Sequence, residues 1–200
     1  MKKELVEHIK EKLKEVINQK RYIHTLGVVD AAVYLAEKYG ADLHEAEIAA
    51  LLHDYAKDFT EEQLKGYIKK HGLEVDEVLM EAYQLLHGKV AAHIARVEFN
   101  IHNENILKAV ENHTTGAANM GKLERIIYLA DFIEVGRNYQ GVDELRLLAE
   151  ENLDRAVLQA FNNTIHYVLS IGKLLHPNTI HGRNELLQQV KDLRGDLWQK

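Results

Sequence analysis

The chain has 200 residues with 25 Lys and Arg against 31 Asp and Glu, a formal net charge of −6 that argues against a general nucleic-acid-binding surface. Hydrophobic residues make up 46% and charged residues 28%, the balance of a soluble globular protein long enough for one sizeable core. Cysteine is absent, which excludes disulfides and thiolate metal sites and fits a reducing, cytoplasmic setting. No apolar run reaches membrane-spanning length, and Met1-Lys2-Lys3-Glu4 reads as the start of a charged amphipathic helix and not as a signal peptide.

A single proline, Pro177, and steady Leu/Ala/Glu/Lys spacing predict an all-α chain. The first helix is expected over residues 3–18, with Leu5, Ile9, Leu13 and Val16 on one face. A second runs over 21–38 and stops at Gly40; a third starts near Asp42 and ends soon after His53-Asp54. Thr60-Glu61-Glu62-Gln63 has the spacing of a capping box and opens a helix that ends at Gly72. Helices over 76–85, 87–98, 104–113 and 122–134 follow. A long one over 144–170 carries Leu158, Phe161, Ile165 and Val168 as its inner stripe, and a last one starts near Asn184. With no repeat, linker or alternating strand pattern, one domain over 1–200 is the expectation.

The chemistry is concentrated in Ala49-Ala50-Leu51-Leu52-His53-Asp54-Tyr55-Ala56-Lys57. An imidazole beside a carboxylate in an apolar run is costly to bury unless something binds both, and a metal ion accepts a neutral imidazole nitrogen and a carboxylate oxygen together. The helical period puts further ionisable groups on inward faces. His24 aligns with Val28, Ala31 and Leu35; His87 with Val90, Ala91 and Ile94; His113 with Ile106 and Val110. Asp131 follows Ile127 by one turn. Taken singly, each histidine reads as a hydrogen-bonded core residue, and Asp131 as the partner of Arg125 or Arg137. Taken together, buried histidines and two carboxylates without a matching set of buried cations point to a metal-dependent hydrolase. His8, His44, His71, His93, His102 and His166 read as surface or structural residues.

The blocks Arg21-Tyr22-Ile23-His24-Thr25-Leu26-Gly27-Val28, Leu51-Leu52-His53-Asp54-Tyr55-Ala56-Lys57, Leu86-His87-Gly88, Asn112-His113-Thr114-Thr115-Gly116 and Ile127-Tyr128-Leu129-Ala130-Asp131-Phe132-Ile133-Glu134 resemble, in this order, the bacterial YqeK family of the HD-domain superfamily. The resemblance spans about residues 15–185, with one departure: family members often carry Pro after the last Glu, where this chain has Val135. It implies an HD-type helical bundle, with a motif core over 15–135 and C-terminal helices and a nucleotide-side loop over 142–190. It also implies symmetrical hydrolysis of diadenosine tetraphosphate into two ADP.

By the same resemblance, iron is the expected metal, with Mn²⁺ or Co²⁺ as substitutes. His24, His53, Asp54 and Asp131 would be its ligands, and His87 and His113 would complete a second metal position or contact the phosphates. His53, Asp54, Lys57, His87 and His113 would form the catalytic group. Arg21, Lys57 and Arg137 would offset phosphate charge. Thr114-Thr115-Gly116 could face an anion, and His176 and Thr179, in the segment 175–184, could contact base or ribose. The implied partners are a dinucleoside polyphosphate and its ADP- or GDP-type product, with no nucleic acid, no membrane and a homodimer left open. Two alternatives also stay open: a phosphohydrolase of the same superfamily acting on a nucleoside monophosphate or a guanosine alarmone, and a non-catalytic nucleotide-binding protein.

Overall fold

The computed structural model describes residues 2–192, and these fold as eleven α-helices and one short 3-10 turn, with no strand among the described residues. Residue 1 and residues 193–200, at the ends of the expected domain, lie outside the described residues. The helices are α1 (Lys2–Val16), α2 (Gln19–Tyr39), α3 (Leu43–Leu52), α4 (Glu61–His71), α5 (Glu77–Glu81) and α6 (Leu86–Val97). They continue with α7 (Glu104–Asn112), α8 (Lys122–Ile133), α9 (Val142–Glu151), α10 (Leu153–Ser170) and α11 (Pro177–Asp192).

Local chemistry sets the helix ends. Asn18 accepts a hydrogen bond from the Arg21 amide and starts α2, which ends at Gly40 in the left-handed region with φ 67°. The Thr60/Gln63 capping box forms with both arms in place. In the middle of the bundle lies α3, whose Ala46, Ile48, Ala49, Ala50, Leu51 and Leu52 are all buried. A helix that is apolar all round must be enclosed, and α3 packs on α1, α2, α6, α7 and α8. Its alanines let these neighbours approach closely. One continuous core runs from Val6 to Val190, so the C-terminal end of α3 meets α2, α6, α7 and α8 inside the bundle.

Three expectations about elements are corrected. The long helix over 144–170 is two helices, because Asn152 turns extended (φ −160°, ψ 118°) and its side chain accepts from the Arg155 amide as the N-cap of α10. The break shifts the inner stripe of α10 to Leu153, Ala156, Val157, Ala160 and Phe161, leaving Leu158, Ile165 and Val168 only half-buried. The helix over 76–85 is reduced to α5 and a 3-10 turn at Tyr83–Leu85 that runs into α6. The last helix starts at Pro177 and not near Asn184, because a first-turn position needs no amide hydrogen. His176 and Thr179 therefore sit at a helix start and not in an open loop.

Candidate metal centre

The His53-Asp54 pair lies just past the end of α3, where the expectation placed it inside the helix. His53 still has helical angles (φ −53°, ψ −45°) as the cap. Beyond it the chain tightens into turns closed by Tyr55 N–H to Leu52 O (3.1 Å), Lys57 N–H to Asp54 O (3.0 Å) and Phe59 N–H to Ala56 O (3.2 Å). Leu51 to Ala56 are all buried, so the pair is held rigidly against the core.

Three histidines are oriented by one device. Nδ1 of His53 lies 2.6 Å from Ala50 O, Nδ1 of His87 2.5 Å from Gln84 O, and Nδ1 of His113 2.7 Å from Val110 O. Each acceptor is the carbonyl three residues upstream, and a carbonyl can only accept. Nδ1 must therefore carry the proton in all three rings, which leaves Nε2 as a lone pair facing the cluster. Nδ1 of His24 instead donates to a carboxylate, Glu134 Oε1, at 3.0 Å. All four imidazoles thus present Nε2 inward, the arrangement that metal-ligating histidines need.

Asp54 joins two halves of the cluster. Its Oδ2 lies 3.5 Å from His53 Nε2 and 3.8 Å from His24 Nε2, and accepts from Arg21 at 2.8 Å. Its Oδ1 lies 3.1 Å from His87 Nε2 and 3.4 Å from His113 Nε2. On the first side, His24 Nε2 is 3.0 Å from Asp131 Oδ1, and Arg137 grips Asp131 through both its side chain and its main-chain carbonyl. On the second side, the Nε2 atoms of His87 and His113 stand 3.0 Å apart, Thr114 Oγ1 lies 3.1 Å from His113 Nε2, and Lys57 Nζ lies 3.4 Å from His87 Nε2.

The ionisation states suit a cation. Burial pushes His53 and His87 down to about 4, so both are neutral near pH 7. Burial opposes ionisation of Asp54, but in the acid range where it would titrate, with His53 and His87 protonated, the His53 charge and hydrogen bonds from His113 and His87 outweigh burial and hold the carboxyl well below its usual range. Burial likewise opposes ionisation of Asp131, and the His24 hydrogen bond with the Arg137 charge overturns it. His24, wedged between Asp131 and Glu134, is the imidazole whose pKa is raised, against the opposing pull of its own burial.

The donor set fits a divalent metal ion. Nε2 of His53 is buried without a hydrogen-bond partner, a costly state for a lone pair unless a cation accepts it, and Nε2 of His24 faces the Asp131 carboxylate at 3.0 Å. Two groups bring their ligand atoms within 4.8 Å of one another: His24, His53 and Asp131, and His53, Asp54 and His113. The facing lone pairs of His87 and His113 would repel each other without a proton or a cation between them. Nitrogen and oxygen donors of this kind suit first-row ions such as iron or manganese.

The sequence-predicted residues divide cleanly. His24, His53, Asp54, His87, His113 and Asp131 converge, with Arg21, Lys57 and Arg137 around them. His176 and Thr179 do not join the cluster. His176 is buried with Nε2 2.8 Å from Asp76 Oδ2, and the Thr179 hydroxyl donates to Thr115 O at 2.8 Å, so both side chains tie α11 to the bundle. The Thr179 hydroxyl proton is thus used internally. Of the histidines set aside, His166 is exposed, and His93 Nδ1 is bonded to the Tyr67 hydroxyl at 2.9 Å. Two residues with no assigned role matter: Glu134 behind His24, and Arg146, whose guanidinium donates to the carbonyls of Ile133, Glu134 and Arg137 and so closes the end of α8. The spacing of Glu134 from Asp131, three residues along one helix face, was the available signal for the first. That turn is held by Arg146 even though Val135, in place of the family's usual Pro, is 88% exposed.

The HD domain family model matches residues 21–136, more than half of the chain. The chain belongs to the HD domain family. The HD match contains every histidine and carboxylate of the cluster, while Arg137, His176 and Thr179 lie beyond it. A curated relative from Halalkalibacterium halodurans, "Bis(5'-nucleosyl)-tetraphosphatase, symmetrical", is 38% identical over 179 residues, 90% of this chain and 95% of its own length. Relatives with the same description from Bacillus subtilis and Staphylococcus aureus are 39% and 34% identical over 175 and 177 residues, covering 88% of this chain in each case and 94% and 91% of their own lengths. A crystal structure from Clostridium acetobutylicum, described as a "predicted HD superfamily hydrolase involved in NAD metabolism", superposes with a TM-score of 0.88. It is 43% identical, covering 92% of this chain and 97% of that one.

Proposed function

We propose that this HD protein is a metal-dependent hydrolase that cuts diadenosine tetraphosphate symmetrically into two ADP. The observation that carries the reading is one carboxylate, Asp54, facing two clusters of imidazole lone pairs with Arg21, Lys57 and Arg137 at their edge. The descriptions of three relatives matched over about 90% of the chain point the same way. His24, His53, Asp54 and Asp131 hold the principal ion, with iron the preferred occupant and Mn²⁺ or Co²⁺ as substitutes. His87 and His113 hold a second ion or a phosphate. When bound, such an ion supplies Lewis acidity and lowers the pKa of water towards neutrality.

The chain's own residues do the rest. Lys57, partly exposed and not drawn into a short ion pair, is free to meet phosphate oxygens at the His87 side. Arg21 and Arg137 each hold a carboxylate of the cluster through part of the guanidinium and keep further donors. The Thr114 hydroxyl, beside both His87 and His113, adds a donor at the same place. An ADP leaving group departs as an anion, so it needs neighbouring cations more than a proton, and these three basic groups provide them. Several cations along one rim suit a polyphosphate chain better than a single phosphate in a protein whose overall charge is −6.

The test compares hydrolysis of diadenosine tetraphosphate with hydrolysis of nucleoside monophosphates and a guanosine tetraphosphate, before and after chelation of metal. Faster turnover of the dinucleotide, lost on chelation and restored by Fe²⁺, Mn²⁺ or Co²⁺, supports the reading. Faster monophosphate or alarmone hydrolysis transfers it to the other substrate, and binding without turnover makes the protein a nucleotide binder.

A further inference from the structure

His24 is anchored unlike the other three imidazoles. Theirs rest on backbone carbonyls that no side-chain substitution removes; its Nδ1 rests on the Glu134 carboxylate at 3.0 Å. Glu134 is buried, only 4% exposed, and closes the C-terminal end of α8 three residues after Asp131. Its second oxygen accepts the Gly136 amide at 2.5 Å, so both oxygens are engaged and the carboxylate has one orientation. The space it occupies is made by a missing side chain on another helix. A Cβ on Gly27 would stand 2.6 Å from Glu134 Oε2, and one on Gly136 3.0 Å from the same atom. Gly27 lies in the interior of α2 among ordinary helical residues, and no left-handed angle calls for glycine there. Close approach of the Glu134 carboxylate is what the structure offers as its reason.

We infer that Glu134 is a positioning residue for the metal centre: it fixes the ring and tautomer of His24, and Gly27 exists to admit it. The inference rests on the metal reading of His24. Glu134 touches neither substrate nor ion; it acts through the imidazole, raising its basicity and aiming Nε2 at the position shared with Asp131. The consequence is an asymmetry. One half of the cluster depends on a side-chain carboxylate, and the half formed by His87 and His113 does not.

The experiment is Co²⁺ titration of the metal-depleted full-length chain, followed by visible absorption against a competing chelator, for wild type, Glu134→Ala, Glu134→Gln and Gly27→Ala. Losing Glu134 should weaken Co²⁺ binding about 10–100-fold and change the visible spectrum of that ion. Gly27→Ala, which suits helix formation but pushes the carboxylate aside, should reproduce much of this loss while the protein stays folded. Glu134→Gln should fall between, because it keeps an acceptor for His24 but lacks a second oxygen for the Gly136 amide. Wild-type affinity and spectrum in folded Glu134→Ala, or in Gly27→Ala should Glu134→Ala fail to fold, overturn the inference alone. Wild-type protein that binds no Co²⁺ overturns the metal reading and this inference with it.

Discussion

Replacing Asp54 with Asn removes one charge and almost no volume, so it separates chemistry from packing. Asp54 is 3% exposed and lies within 4.0 Å of four imidazole nitrogens, Arg21 and Lys57. The isosteric amide leaves no cavity, and the two cations it strands have side chains 29% and 31% exposed, so they can turn towards water. The expected stability cost is therefore on the order of 1–2 kcal/mol, below the 3–5 kcal/mol typical of a fully enclosed pair that loses one partner. The catalytic cost should be far larger. Asp54 faces both halves of the cluster, and losing metal-assisted chemistry is expected to slow hydrolysis by about a thousandfold, roughly 4 kcal/mol in activation free energy. Steady-state hydrolysis of diadenosine tetraphosphate, elemental analysis and thermal melting on the same preparations provide the three readings. A folded Asp54→Asn variant with turnover within tenfold of wild type and unchanged metal content would refute the reasoning.

Other outcomes follow from particular contacts. His87→Ala and His113→Ala should each lose about one metal ion per chain if these rings hold a second ion, or keep full metal with a raised KM if they hold phosphate; unchanged kinetics and metal in both would make them structural. Gly116→Ala should destabilise the fold by about 2–4 kcal/mol in urea unfolding, because φ is 64° and the new Cβ would meet Phe161 Cε1 at 2.3 Å; an unchanged midpoint contradicts this. The Asp76 carboxyl is held below its ordinary 3.8, since the Leu79 amide and His176 outweigh slight burial. Its folded value being depressed, its contribution is present above about pH 4 and fades as pH falls through the folded value. The melting difference between wild type and Asp76→Asn should therefore be largest near neutrality and shrink towards pH 3, and a pH-independent difference would count against that contact.

The sequence made the architecture readable where a helix has its own punctuation. Gly40, Gly72 and the Thr60 capping box end or begin helices as expected, and the apolar periodicity places His24, His87, His113 and Asp131 on inward faces. The break at Asn152 was hidden because neither Pro nor Gly marks it; the signal was an Asn followed by Asp154 in a new first turn. The start of the last helix lies earlier than expected because Pro177, which punctuates loops, is equally at home in a first helical turn. Periodicity could place His24 inward but could not show what stands behind its ring. Glu134 reaches it across a sequence separation of 110 residues, through a gap left by Gly27, and only packing in three dimensions reveals that. His176 and Thr179 were read from their motif alone, and their burial against Asp76 and Thr115 assigns both side chains a tie within the fold.

The central claim is symmetrical cleavage at this centre, and product analysis tests it most directly. Metal-replete protein is incubated with diadenosine tetraphosphate and the nucleotides are separated by anion-exchange chromatography at early times. The account predicts ADP as the sole initial product, two for each substrate consumed, in a reaction abolished by His53→Ala. Equal amounts of AMP and ATP would contradict it.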